Sequence, residues 1–291
     1  METLDKENKK IILGFQKNEI TEYYIYKSLA RFVKNPGNRG VLNRISEEEL
    51  RHYHIWRKYS GQKVKPNNIK RLFYVFVSAV LGVTFGIKLM EKGESNAQVT
   101  YEKISKDIPE AGEIQKEEFE HENRLIDMID EEKLKYMGSV VLGLNDALVE
   151  FTGALAGFTF ALKSSRLIGM VGLIMGFSAS FSMAASEYLS TKTESQGKSP
   201  LKASFYTGIA YILTVICLVF PYFAFENYYL SLGLTILFAV FLILVFTFYF
   251  SVVKEIPFRN RFFEMLAISM GVAAVSFVIG LLVRKFLSID V

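Results

Sequence analysis

The chain is poor in cysteine and in histidine, and its charge is sparse in the second half. The single cysteine, Cys217, lies in an apolar run, which excludes an intrachain disulfide framework. No stretch is dominated by Lys and Arg, and a net charge of +4 over 291 residues does not argue for nucleic acid as a partner. Residues 1–20 carry charges throughout, so no cleavable leader is expected there. Of the 34 Lys and Arg and 30 Asp and Glu residues, only 18 follow Tyr136. The front of the chain is therefore polar and the back apolar. An all-α chain of two domains is expected, residues 1–134 and 135–291.

Three histidines are present, and two of them fall in matched settings. Glu19 is followed seven residues later by Tyr26, and then by Glu49-Leu-Arg-His52. Glu94 is followed seven residues later by Tyr101, and then by Glu118-Phe-Glu-His121. Seven residues is nearly two helical turns, so each Glu and Tyr share a face. Each Glu-x-x-His projects two ligands from adjacent turns. Two single carboxylates with two such pairs form the ligand set of a di-iron or di-manganese four-helix bundle. The expected ligands are Glu19, Glu49, His52, Glu94, Glu118 and His121, with Glu49 and Glu118 bridging two metal ions. Glu91, three residues before Glu94, is a further candidate ligand, and His54 should point elsewhere.

Helices are expected over residues 5–34, 38–59, 88–106 and 110–134, broken by Asn35-Pro36-Gly37-Asn38, Ser60-Gly61 and Ile108-Pro109. Residues 72–87 are apolar or small but too few to span a bilayer, which takes about 20. A buried bundle helix and a helix lying on a membrane surface both fit them.

Five long apolar runs follow, near 138–162, 167–189, 205–225, 228–253 and 262–283, each able to cross a hydrocarbon core of about 30 Å. With the front domain cytoplasmic, the inner loops hold Lys192, Lys198, Lys202, Lys254, Arg259 and Arg261, against Lys163, Arg166, Arg284 and Lys285 outside. Lys133 and Lys135 add to the inner side. The expectation is a multi-pass protein of the cell membrane with its front domain in the cytosol.

Ionisable groups within such spans are costly and mark candidate pathways. The first run carries Asp146 and, four residues on, Glu150; the second carries Met183 and Glu187 at the same spacing. A carboxylate beside a thioether suits a borderline divalent ion such as Fe(II). Glu187, near the end of its run, could also simply reach for the interface. Gly153 and Gly157 form a Gly-x-x-x-Gly pair, a close helix contact compatible with dimerisation.

These residues carry two resemblances. The front, through Glu19 with Tyr26, Glu49-x-x-His52, Glu94 with Tyr101 and Glu118-x-x-His121, resembles the rubrerythrin-type ferritin-like domain. The back, through Gly143-Leu-Asn-Asp146 and Ser182-Met-Ala-Ala-Ser-Glu-Tyr188, resembles the vacuolar iron transporter family. Together they look like the fused membrane-bound ferritin-like transporters of prokaryotes. The resemblance implies a five-span homodimer that carries Fe(II), sometimes Mn(II), out of the cytosol in exchange for protons, with an iron site in the bundle. Two departures stand out. The family's metal-binding helical insert after the second span is replaced by the short Thr191–Lys202 stretch, and Ala147 and Ser186 stand where the family has Gly. A membrane-anchored di-iron oxidase or peroxidase, and a metal sensor gating a channel, are the competing expectations.

Overall fold

The computed structural model describes residues 6–94, 108–127, 135–194 and 197–287, of which the side chains of 6, 7, 91–94, 122, 123, 126, 127 and 287 are not described. It is all helical there and divides into two compact units, Met1–Glu131 and Glu132–Val291.

In the first unit, α1 covers Lys6–Leu29 and α2 covers Pro36–Ser60. The breaker sequence between them does specific work. The Asn35 side chain accepts hydrogen bonds from the backbone N–H groups of Gly37 and Asn38, and Pro36 takes the first turn, where no N–H is needed. α2 ends at Gly61, whose N–H donates to the Arg57 carbonyl. Helix α3 covers Asn68–Leu81, α4 covers Val83–Glu94 and α5 covers Glu110–Asp127.

The apolar run expected over 72–87 as one element is two. Gly82 has a φ of 105°, a conformation that side-chain-bearing residues avoid, and the chain turns there. Gly86 then passes so close to Ser78 that a Cβ would collide with it. The resulting α4 places Ile87 and Met90 in a core with Ile25, Leu29, Leu42, Ile45 and Leu125. A second core holds Ile12, Phe15, Trp56, Ile108, Ala111 and Ile114. Along α1, α2 and α5 alike, the candidate ligands fall between the positions that feed these two cores. The first unit is thus an apolar layer, a layer of Glu and His, and another apolar layer.

The second unit contains five helices long and apolar enough to cross a membrane: Met137–Leu162, Ser165–Glu194, Pro200–Ala224, Tyr228–Lys254 and Phe258–Leu287. Their common core includes Leu148, Phe151, Tyr211, Val215, Tyr222 and Ile243. Outward side chains such as Phe181, Leu213, Phe241 and Val275 are large, apolar and exposed, which suits lipid rather than water. Inside a bilayer every polar group needs an internal partner. Accordingly Thr207 Oγ1 donates to the Ser139 carbonyl at 2.9 Å, and Thr235 Oγ1 donates to the Leu218 carbonyl at 2.8 Å.

The first span is not one regular helix. Residues Ala147–Phe151 form a π-helical turn between two α-helical halves. Ser269 Oγ, on the fifth span, donates to the Leu148 carbonyl within that turn at 2.5 Å. The Gly153 and Gly157 pair lies against Val272 and Ser276 of the same fifth span, and a Cβ on Gly280 would sit 2.4 Å from the Gly157 carbonyl oxygen. The close contact read from the sequence is therefore made within the chain.

Candidate functional site

The Glu and His layer of the first unit is built from three helices. Glu19 comes from α1, Glu49 and His52 from α2, Glu118 and His121 from α5, and all but the half-buried Glu118 are buried. Ligand atoms of Glu19, Glu49, His52 and Glu118 lie within 4.8 Å of one another. His52 Nδ1 is 3.0 Å from Glu118 Oε1, 3.6 Å from Glu19 Oε2 and 3.7 Å from Glu49 Oε2. His121 Nδ1 is 3.2 Å from Glu49 Oε1 and 3.7 Å from Glu118 Oε2. Each of Glu49 and Glu118 thus offers one oxygen to the surroundings of each histidine. The two rings stack with centroids 5.8 Å apart. Glu91, Glu94 and Tyr101, expected to complete the second half, lie outside the described side chains. His54 is exposed and packs on Tyr53, away from this layer.

The arrangement suits a divalent cation. Glu49 Oε2, His52 Nδ1 and His121 Nδ1 are buried without a hydrogen-bond partner, although such atoms normally find one. All three face the same carboxylate cluster. Carboxylate and imidazole donors together match Fe, Mn or Zn.

Five residues around this layer escaped the reading of the sequence. His52 Nε2 is 2.7 Å from Glu117 Oε2, and His121 Nε2 is 2.7 Å from Glu48 Oε2. Arg51 donates to Glu117 at 2.6 Å, and Arg124 to Glu48 at 3.1 Å. The pairing is crossed: the carboxylate preceding each Glu-x-x-His holds the histidine of the other. A carboxylate on the far ring nitrogen fixes the ring's orientation and leaves Nδ1 for a ligand. The signal was available as Glu48-Glu49 and Glu117-Glu118, the same doubled Glu before each x-x-His. Trp56 Nε1–H similarly donates to Glu19 Oε1 at 3.0 Å.

Charge in this layer balances only with protons or a cation present. Burial disfavours a charged imidazole, yet Glu118, Glu19 and Glu49 outweigh it and hold the His52 pKa far above its usual value. His121, beside Glu118 and Glu49, is pushed up to about 10 against the same penalty. Burial raises the Glu19 pKa, with Glu49 and Glu118 adding to it against the pull of His52. Glu49 goes the other way: burial opposes its ionisation, but His121 and His52 hold its pKa low.

A cation binding at Nδ1 must displace those protons. For His121 the metal-free stabilisation is complete below its unfolded pKa of about 6.5. It is lost as pH rises through about 10, the folded value. Over the same window metal affinity should rise. Calorimetric Zn(II) titration at pH 7, in buffers of different ionisation enthalpy, should therefore report proton release. Proton-neutral binding would contradict this picture.

The membrane unit places the other candidates at two levels. Glu187 accepts a hydrogen bond from Ser139 Oγ of the first span at 2.5 Å. That bond ties the second span to the start of the first. Asp146, half-buried, closes the regular half of the first span just before the π turn, and Glu150 lies within that turn and is exposed. π turns in transmembrane and soluble helices concentrate at functional sites. Asn145 Oδ1 and the hydroxyl of Tyr211, on the third span, are buried here without a hydrogen-bond partner. Tyr211 shares the common core with Ala147 and Leu148 of the π turn, a juxtaposition that no spacing in the sequence discloses. Met183 is half-buried and packs against the common core.

Residues 137–198 match the model of the VIT family. This VIT segment runs through the first two spans and the short connection after them, and contains Asp146, Glu150, Met183 and Glu187. Among curated proteins, none matches the chain.

Proposed function

We propose that the chain is a membrane transporter that exports Fe(II), or Mn(II) in its place, from the cytosol in exchange for protons. The observation that carries the reading is the VIT segment over residues 137–198, joined in one polypeptide to a buried Glu and His layer. On this reading the first unit is a ferritin-like domain of rubrerythrin type that faces the cytosol and captures the metal. Asp146, Glu150, Met183 and Glu187 form successive sites along the membrane path, and two copies of the chain assemble as a homodimer. A carboxylate binds metal in its deprotonated form, so exchange of metal for protons at Asp146 and Glu187 couples the two flows.

The connection between the second and third spans is short, which leaves capture of scarce metal to the first unit. Removing residues 1–132 should leave transport in place but raise the Fe(II) concentration needed for half-maximal rate. The physical reason is local: a tethered binding site raises the effective concentration of metal near the entrance. Uptake measured against free Fe(II), for intact and shortened proteins at equal density in vesicles, tests this. A changed maximal rate with an unchanged half-maximal concentration points to gating instead.

A membrane-anchored di-iron oxidase or peroxidase is the second reading. The shared Glu49 and Glu118 carboxylates favour it, since they suit a pair of metal ions that changes oxidation state together. Oxygen consumption on Fe(II) addition, without metal movement across the bilayer, is its signature.

A further inference from the structure

Helix α3 presents an apolar stripe that nothing among the described residues of its own unit covers. Ile69, Leu72, Phe73, Phe76 and Val80 recur at i, i+3, i+4, i+7 and i+11, the spacing of one helix face. Each is more than half exposed, from 53% at Phe73 to 83% at Ile69. Five large apolar side chains on one face exceed the scattered exposure normal for a protein surface.

The stripe is held outward. On the opposite side of α3, Ser78 is buried. The Asn67 backbone N–H donates to Thr21 Oγ1 of α1 at 2.9 Å, and Lys70 pairs with the buried Glu22 at 3.3 Å. Arg71 lies over the Tyr24 ring of α1. With one face pinned to α1, the helix cannot roll its apolar stripe inward.

Charge identifies the occupant. From Leu50 to Met90 the chain has eight Lys and Arg residues and no Asp or Glu. Arg51, Lys58 and Lys70 pair with Glu117, Glu110 and Glu22 from other helices, yet the balance is basic. Lys63 and Lys65, just before α3, are exposed. An apolar helix face beside a purely basic stretch fits the boundary of headgroups and acyl chains in a membrane carrying anionic lipid. The candidate spans of the same chain supply such a bilayer.

We infer that α3 is a membrane-contacting helix, its Ile69–Val80 stripe seated in the anionic surface of the bilayer that the spans of the same chain cross. This goes beyond the transport reading and stands without it, because it requires only that residues 137–287 span the membrane.

The test uses the full chain with Cys217→Ser, reconstituted in phosphatidylcholine vesicles containing phosphatidylglycerol. A fluorophore that reports its surroundings is attached at Phe76→Cys or, as a reference, at Arg44→Cys on the exposed side of α2. Lipids carrying a quencher in the upper acyl chain should quench the label at position 76 at least threefold more than that at position 44. Replacing Lys63, Lys65 and Arg71 together with Gln should reduce that quenching in the anionic vesicles. Equal quenching at the two positions overturns the inference. So does a label at 76 shielded from both lipid and aqueous quenchers and in energy transfer with its counterpart, because the stripe is then covered by a second copy. Metal transport enters neither readout, so failure here and failure of the transport reading are distinguishable.

Discussion

Asp146→Ala is expected to abolish Fe(II) transport, by roughly 100-fold or more, while the protein still inserts and its first unit still takes up metal. Even residues that only orient a metal ligand cost 10–100-fold when removed, and on the proposed path Asp146 is itself a ligand. Its setting explains the expected severity. It stands half-buried where the regular helix gives way to the π turn, next in the chain to Asn145, whose Oδ1 is buried without a partner. Met183→Ala should act in the same direction, because on the proposed path its thioether is the soft donor of the second span. Glu150→Gln should be milder, since Glu150 is exposed and keeps its hydrogen-bonding shape as an amide. Uptake by the Asp146 variant equal to that of the intact protein would move the path away from these spans.

The second large effect concerns the first unit. Glu49→Ala combined with Glu118→Ala should remove essentially all metal from it, not half. Both carboxylates reach both histidines, at distances between 3.0 and 3.7 Å, so each metal position would lose two donors at once. The thermal response should follow. A ligand at 100 times its dissociation constant stabilises the form that binds it by about 2.7 kcal/mol. The intact first unit should melt at a higher temperature with Mn(II) added, and the doubly substituted one should not respond. Metal content measured on purified full-length protein, beside a melting curve, reads both. An unchanged metal content would place the binding site elsewhere.

Much of this was legible in the sequence, and the misses have physical causes. Helical spacing alone puts Glu49 with His52, and Glu118 with His121, on one face of each helix. The convergence of those faces with Glu19 was read from the repeated pattern, which matches the ligand set of a four-helix bundle. The crossed pairs His52–Glu117 and His121–Glu48 depend on how α2 and α5 are aligned, which no single helix encodes. The break at Gly82 was hidden inside an unbroken apolar run, since hydropathy is blind to a positive φ. The π turn at Ala147–Phe151 contains neither Pro nor Gly. The contact made to its backbone is tertiary, the hydrogen bond from Ser269 to the Leu148 carbonyl. Gly153 and Gly157 announced a close helix contact, but the sequence could not name the fifth span as the partner. The second span outlasts its apolar run, continuing to Glu194, because a helix can extend past the bilayer into its polar end.

The central claim is that residues 137–287 carry metal across a membrane through the face bearing Asp146. Its most direct measurement is Fe(II) entry into sealed proteoliposomes, followed by a trapped iron-sensitive dye together with a trapped pH indicator. The account predicts iron entry with counterflow of protons for the intact protein, and neither for Asp146→Ala at equal insertion. Iron entry no faster than in protein-free vesicles, from correctly inserted protein with a metal-loaded first unit, would contradict it.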